Sequence, residues 1–217
     1  MGIAERKEKE KVGLKKLILQ AALDVYLENG YEDTTVRNIA ERIEYSPTTI
    51  YLYYKDKDAI LYALHQYGFQ LLAQKLDAHG PITDPYERLL AMGREYIDFA
   101  LNNLALYDLM FIKKAPILAL EMGNHKWSEG IAAFERLKET VNECSDQGIL
   151  NLGDVETASF VIWSAMHGMC ALYIGGRCLM VLSEERRGDI LRIGFENFLG
   201  ILAQLKNENA NAKTITH

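Results

Sequence analysis

Proline, tryptophan and cysteine are scarce in this chain, and strand-like alternation of any useful length is missing. The four prolines, Pro47, Pro81, Pro85 and Pro116, all stand where an apolar helical pattern breaks. The three cysteines, Cys144, Cys170 and Cys178, form no closely spaced, even-numbered framework. That excludes a disulfide scaffold and points to a reduced, cytoplasmic chain. Residues 1–7 lack the apolar run of a signal peptide. Catalytic signatures are missing too: there is no Gly-x-Ser-x-Gly elbow, no phosphate-cradling glycine loop and no acid pair in an apolar frame. His167 and Cys170 stand one helical turn apart, but two ligands do not make a metal site. The expectation is therefore no catalytic residue, no cofactor, no metal and no enzymatic activity.

An excess of basic charge is missing as well. The chain carries 24 Lys and Arg against 30 Asp and Glu, a net charge of −6. The distribution is uneven. Residues 1–57 hold 10 basic and 10 acidic side chains, and the first 16 hold six against three. Acidity therefore gathers in the rest of the chain, away from the segment discussed next. The stretch 160–176 is uncharged but short of the roughly 20 apolar residues a membrane span needs. It contains Ser164, His167 and Gly168. A helix apolar all round can equally lie buried in protein, and no membrane association is expected.

What is present is helix. With 49% hydrophobic and 25% charged residues, the composition is ordinary for a soluble globular protein. The informative stretch is 34–55. Thr34 or Thr35 is a good N-cap, and Val36, Ile39, Ala40 and Ile43 then fall on one helical face. Glu44-Tyr45 breaks that pattern. Ser46-Pro47 restarts it, with Ser as cap and Pro at the first helical position. The second short helix buries Ile50 and Tyr54 and leaves Thr48, Thr49, Tyr51 and Tyr53 largely on other faces. Hydroxyl-rich side chains at the start of such a helix suit phosphates and base edges in a major groove. The same spacing also fits a plain helical hairpin with a polar face.

The segment Gly30-Tyr31-Glu32-Asp33-Thr34-Thr35-Val36-Arg37-Asn38-Ile39-Ala40, followed by Ser46-Pro47-Thr48-Thr49-Ile50-Tyr51-Leu52-Tyr53-Tyr54-Lys55, resembles the N-terminal domain of the tetracycline-repressor (TetR) family. The resemblance covers about residues 12–64. It departs from the family pattern at Glu44, usually Gly, at Tyr45, usually Val, and at Tyr54, usually Phe. Trp163-Ser164-Ala165-Met166-His167-Gly168 further resembles one subclass of the family with a Trp-His-Gly C-terminal domain. The resemblance implies a DNA-binding transcriptional regulator, with Thr35, Arg37, Ser46, Pro47, Thr48, Thr49, Tyr51, Tyr53 and Lys57 contacting duplex DNA. It also implies a homodimer joined through the last two long helices, with Leu191, Ile193, Phe195, Phe198, Leu199 and Leu202 as suitable contacts.

The whole is predicted to be all-α: a three-helix helix-turn-helix head plus a larger antiparallel helical bundle, about nine helices. Residues 1–10 read as a polar, disordered arm and 11–56 as the head. Residues 57–79 read as a linking helix ended by Gly80-Pro81. Residues 80–207 read as a ligand-binding and dimerisation body, and 208–217 as a polar tail. Aromatic and Met side chains crowd the body. Phe69, Tyr96, Phe99, Phe111, Trp127, Phe134, Trp163, Met166, His167 and Met169 are candidate walls of a pocket for a small hydrophobic effector, or plain core. The expected partners are an operator duplex, that effector and a second copy of the chain. A repressor leads. An activator, or a regulator without an effector, stays open, as does a helical binding module whose head docks protein partners.

Overall fold

Helix starts in this chain are set by short polar side chains that bond back to the first turn. Asp84 accepts from the Tyr86 and Glu87 amides, Asp154 from Thr157 and Asp56 from Ala59. Each satisfies amides that the helix itself leaves without partners. The computed structural model describes residues 2–113, 127–150 and 153–214. Among them are eleven helices and no strand. They are α1 Ile3–Asp33, α2 Val36–Arg42, α3 Pro47–Tyr51, α4 Lys57–Asp77, α5 Pro85–Asn102 and α6 Leu104–Phe111. The rest are α7 Ser128–Asp146, α8 Val155–Ile174, α9 Cys178–Val181, α10 Glu184–Arg187 and α11 Ile190–Thr214. The chain is all-α, as the sequence indicates. The predicted break at Pro116 lies outside the described residues.

Two compact units form. The first holds α1 to α3, α4 up to Gln70, and α6 with Trp127. The second holds the rest of α4, α5 and α7 to α11. The division thus falls inside α4 and again at α6, not at Gly80-Pro81.

In the first unit, Ile18, Ala22 and Val25 of α1 pack with Val36 and Ile39 of α2, Ile50 of α3 and Ile60 of α4. Gly30 takes φ 73°, so the backbone leaves the helix there although α1 is continued to Asp33. That position suits a residue without Cβ. The arm expected to be disordered is helical from Ile3. Charges four apart support it, as in Arg6–Glu10 at 3.0 Å, and Glu5 accepts from the Gly2 amide at 2.8 Å.

In the second unit, α5 packs against α7, α8 and α11. Its buried residues include Leu89, Met92, Tyr96, Ile97 and Phe99. Asn102 and Asn103 end it by bonding the carbonyls of Asp98 and Phe99. The last of the expected long helices is interrupted. Ser183 precedes only the four-residue α10, and α11 begins anew after Gly188 and Asp189. That break, with the short α9, raises the helix count above nine. At its far end α11 runs to Thr214, beyond the expected tail boundary, since no Pro or Gly follows Gly200 to stop it.

The helix α8 answers the membrane question only in part. It is long and apolar enough to cross a bilayer by length and composition, yet little more than a quarter of its apolar window is buried within the chain. Ala158, Ile162, Met166 and Cys170 face inward. Phe160, Ser164 and Leu172, at four- and eight-residue steps, are exposed. Gly175 and Gly176 end the helix.

Candidate nucleic-acid interface

The head presents its second and third helices through two local devices. Thr35 caps α2 by accepting from the Asn38 amide at 3.1 Å, while its neighbour Thr34 is fully buried and donates to the Gly30 carbonyl at 2.6 Å. Ser46 caps α3 by accepting from the Thr49 amide at 3.2 Å, and its hydroxyl also bonds the Thr49 hydroxyl at 2.9 Å. Pro47 occupies the first helical position. Ile50 is wholly buried and pins α3 to the head core. With that side fixed, Pro47, Thr48 and Tyr51 are turned to solvent, Tyr51 being 55% exposed.

The predicted contact residues divide by what already holds them. Thr35, Ser46, Pro47, Thr48 and Tyr51 are exposed. Thr49 is half-buried beside Ser46. Tyr53 is turned partly against the head core with Tyr54, whose hydroxyl pKa burial raises. Arg37 is exposed but bonded through Nε to Glu41 at 2.9 Å. Lys57 donates to the Tyr31 carbonyl at 3.1 Å and lies over the Tyr31 ring at 4.5 Å. It therefore ties the end of α1 to the start of α4, with two ammonium protons left for a phosphate. Tyr31 in turn donates to Asp58 at 2.9 Å, and burial together with that carboxylate pushes its hydroxyl up to about 12. Arg42 is engaged with Glu28, one bond being 2.9 Å, so Arg37, Arg42 and Lys57 each already hold a partner within the head. Tyr45 and Leu52, beside α3, and Lys55 are exposed as well, though the sequence did not single them out as contacts. The turn residues carried no periodic signal.

Glu44, in the turn between α2 and α3, has φ 58°. That left-handed conformation favours glycine, which gives the family's usual residue here a conformational reason.

The residues proposed as pocket walls fall into two clusters in different units. In the first unit Phe69 meets Phe111 edge-on at 5.1 Å and Trp127 at 5.2 Å. His65, also buried, lies 5.0 Å from Phe69, and Tyr107 lies 4.9 Å from Phe111. In the second unit Trp163 stands 6.0 Å from Phe134 and 6.2 Å from His167. His167 Nδ1 lies 3.3 Å from the Tyr96 hydroxyl, and burial lowers its pKa. Phe99 and Met166 are buried core. Met169 is half-buried and points its sulfur toward Gly194 of α11. Among the described residues no group of three or more His, Cys, Asp or Glu is placed to hold a metal. The buried thiols of Cys144 and Cys170 are pushed up to about 11 and about 12 by burial, which makes them poor nucleophiles.

Residues 18–64 match the family model described as bacterial regulatory proteins, tetR family, and residues 89–191 match that of the tetracyclin repressor-like C-terminal domain. Together the two matches cover more than half of the chain. The chain belongs to the TetR family. TetR-family membership makes it a DNA-binding transcriptional regulator and not an enzyme. Its relatives include the HTH-type transcriptional regulator YvkB of Bacillus subtilis, 24% identical over 78% of this chain and 89% of that one. The probable acrEF/envCD operon repressor of Escherichia coli K12 is 22% identical over 77% and 79%. Among solved structures, the fatty acid degradation regulator FadR from Bacillus halodurans shares the fold, with a TM-score of 0.70 at 20% identity over 87% of this chain and 94% of that one.

Proposed function

We propose that this TetR-family regulator is a repressor that binds operator DNA as a homodimer and is released by a small hydrophobic effector. The observation that carries the DNA contact is the orientation of α3. Ile50 holds one side in the core while Pro47, Thr48 and Tyr51 face solvent. A short helix so presented enters a major groove with its first residues at the base edges. Thr35, Arg37 and the remaining protons of Lys57 then serve the phosphates. Tyr51 serves the backbone, and Tyr53 supports it from its half-buried site.

The dimer follows from apolar surface that the single chain leaves uncovered. On α8, Phe160 is 56% exposed, with Val161 and Leu172 also bare. On α11, Ile193 and Ile201 are exposed, Ile201 to 56%. Burying such stripes against a second copy stabilises the pair by roughly 25 cal/mol per Å2. Leu191, Phe195 and Leu199, expected at the dimer contact, are buried within their own unit instead. The contact is therefore assigned to Ile193 and Ile201, with the half-buried Phe198 and Leu202 beside them.

The effector reading rests on the aromatic clusters around Phe69 and Trp163. It also rests on the relatives, one named an operon repressor and one structural neighbour a regulator of fatty acid degradation. An acyl or aromatic molecule is the effector class proposed. It loosens DNA binding only as far as it binds the DNA-incompetent state more tightly. The site of action is the cytoplasm.

Selection of bound duplexes from a random pool, followed by gel-shift titration at several salt concentrations, tests the DNA reading. Steep salt dependence is expected, and Tyr51→Ala lowers affinity without changing the fold. Sedimentation tests the dimer: the wild type sediments as a dimer and the double variant Phe160→Asp with Ile201→Asp as a folded monomer. A wild-type monomer at micromolar concentration would overturn the dimer. An operator-bound protein that raises transcription of a reporter would make it an activator.

A further inference from the structure

Residues 45–54 read Tyr-Ser-Pro-Thr-Thr-Ile-Tyr-Leu-Tyr-Tyr and contain no Arg, Lys, Asn, Gln, Asp or Glu. In a helix-turn-helix this is the segment that reaches base edges. Guanine is read from the major groove by Arg or Lys, adenine by Asn or Gln, and cytosine by Glu or Asp. The segment has none of these.

Of the candidates outside it, Lys55 is exposed beyond the end of α3 and is left to the phosphates, while those on α2 are already paired. Arg37 is held by Glu41 at 2.9 Å, Arg42 by Glu28, and the Asn38 amide donates to the Asp33 carbonyl at 3.1 Å. Glu41 is taken up by Arg37, and Glu44, in the turn before the segment, offers acceptors that suit a cytosine amine but no purine N7. The hydroxyls of Ser46 and Thr49 bond each other at 2.9 Å. The segment's hydroxyls can bond more than one base and so discriminate little; what else it turns to solvent is carbon, in Pro47, Thr48, the rings of Tyr45 and Tyr51, and Leu52, which is 78% exposed. Thr48 and Leu52 stand four residues apart, so they lie along one line of the surface. Of the four bases, thymine alone carries an apolar group on its major-groove edge, the C5-methyl.

We infer that this regulator reads its operator mainly through thymine methyl groups packed against Pro47, Thr48 and Leu52. Phosphate contacts set the register. The inference rests on the DNA-binding reading above and adds to it the class of base contact.

The test starts from a duplex enriched from a random pool by the full-length protein. Thymines are replaced one at a time by uracil, which removes the methyl alone. Purines are replaced by their 7-deaza analogues, which remove the N7 acceptor. Each contacted thymine is expected to cost about fourfold in affinity when changed to uracil, the equivalent of one buried methyl. The 7-deaza substitutions are expected to change affinity less than about twofold, since a lost bidentate base contact would cost far more. Thr48→Ser keeps the hydroxyl and loses the methyl. At one thymine it should abolish the uracil penalty, binding both operators alike, with an unchanged thermal midpoint. Operators bound equally well with uracil throughout would overturn the inference. A loss of about tenfold or more from 7-deazaguanine would then assign the reading to a cation such as Arg37. Failure to enrich any duplex would instead sink the DNA-binding reading itself, so the two failures are distinguishable.

Discussion

The Tyr26 hydroxyl on α1 donates to Asp108 Oδ2 on α6 at 2.6 Å, joining residues 82 positions apart. Lys113 Nζ lies 3.7 Å from the same carboxylate oxygen. Burial of Tyr26, reinforced by the bond to Asp108, raises the hydroxyl's pKa far above its ordinary value and keeps it a donor. The bond gives α6 a polar anchor in the same compact unit as the head.

Tyr26→Phe keeps the buried ring and removes that bond to a charged acceptor. The variant is expected to lose about 1–2 kcal/mol of unfolding free energy. Equilibrium denaturation in urea measures it. A midpoint equal to wild type at equal slope would mean that the bond contributes no net stability.

Glu44→Gly should do the reverse. A side chain at φ 58° is strained by about 1–2 kcal/mol, partly offset by the greater flexibility of glycine in the unfolded chain. A net gain of about 0.5–1 kcal/mol is expected from those opposing terms. The variant also removes a carboxylate beside the DNA-facing helices. Operator binding should tighten at low salt, with the difference shrinking as salt rises. A lower thermal midpoint would contradict the strain, and unchanged affinity would place Glu44 away from the phosphates.

The approach of α5 to α11 depends on Gly93. A Cβ built there would stand 1.8 Å from Phe195 Cε1 and 2.4 Å from its Cζ, in a ring that is itself buried. Gly93→Ala is expected to destabilise by about 3 kcal/mol or more, through forced movement of the ring or the helix. Gly13, exposed in the middle of α1, would meet nothing within 4 Å. Gly13→Ala is expected to stabilise by up to about 1 kcal/mol. Calorimetry on the two variants separates these outcomes, and a mild effect at Gly93 would show that Phe195 has room to turn.

His167 makes stability depend on pH. Burial lowers its pKa in the folded chain below the ordinary 6.5, so the unfolded chain binds the extra proton first on acidification. Its contribution is complete above about pH 6.5 and declines as pH falls from there toward the lower folded value. His167→Gln, which keeps an acceptor for the Tyr96 hydroxyl, should show a smaller drop in thermal midpoint between pH 7.5 and 5.5. Equal drops in both proteins would remove His167 as the source.

By itself, the sequence determined where α2, α3, α5 and α8 start, and with the first two of these the family. The caps at Thr35, Ser46, Asp84 and Asp154 are bonds spanning two or three residues, and the backbone turn at Gly30 is a property of one residue, so both are written locally. Only the tertiary structure decided what each face meets. Helical period marks Leu191, Phe195 and Leu199 as apolar, but it cannot say that they face inward while Ile193 and Ile201 do not. It cannot divide the aromatic residues between two units, nor show that Lys57 is held by Tyr31 and Arg42 by Glu28. Those pairings join residues 14 or more positions apart, and side chains so distant in the chain meet only once the helices have packed.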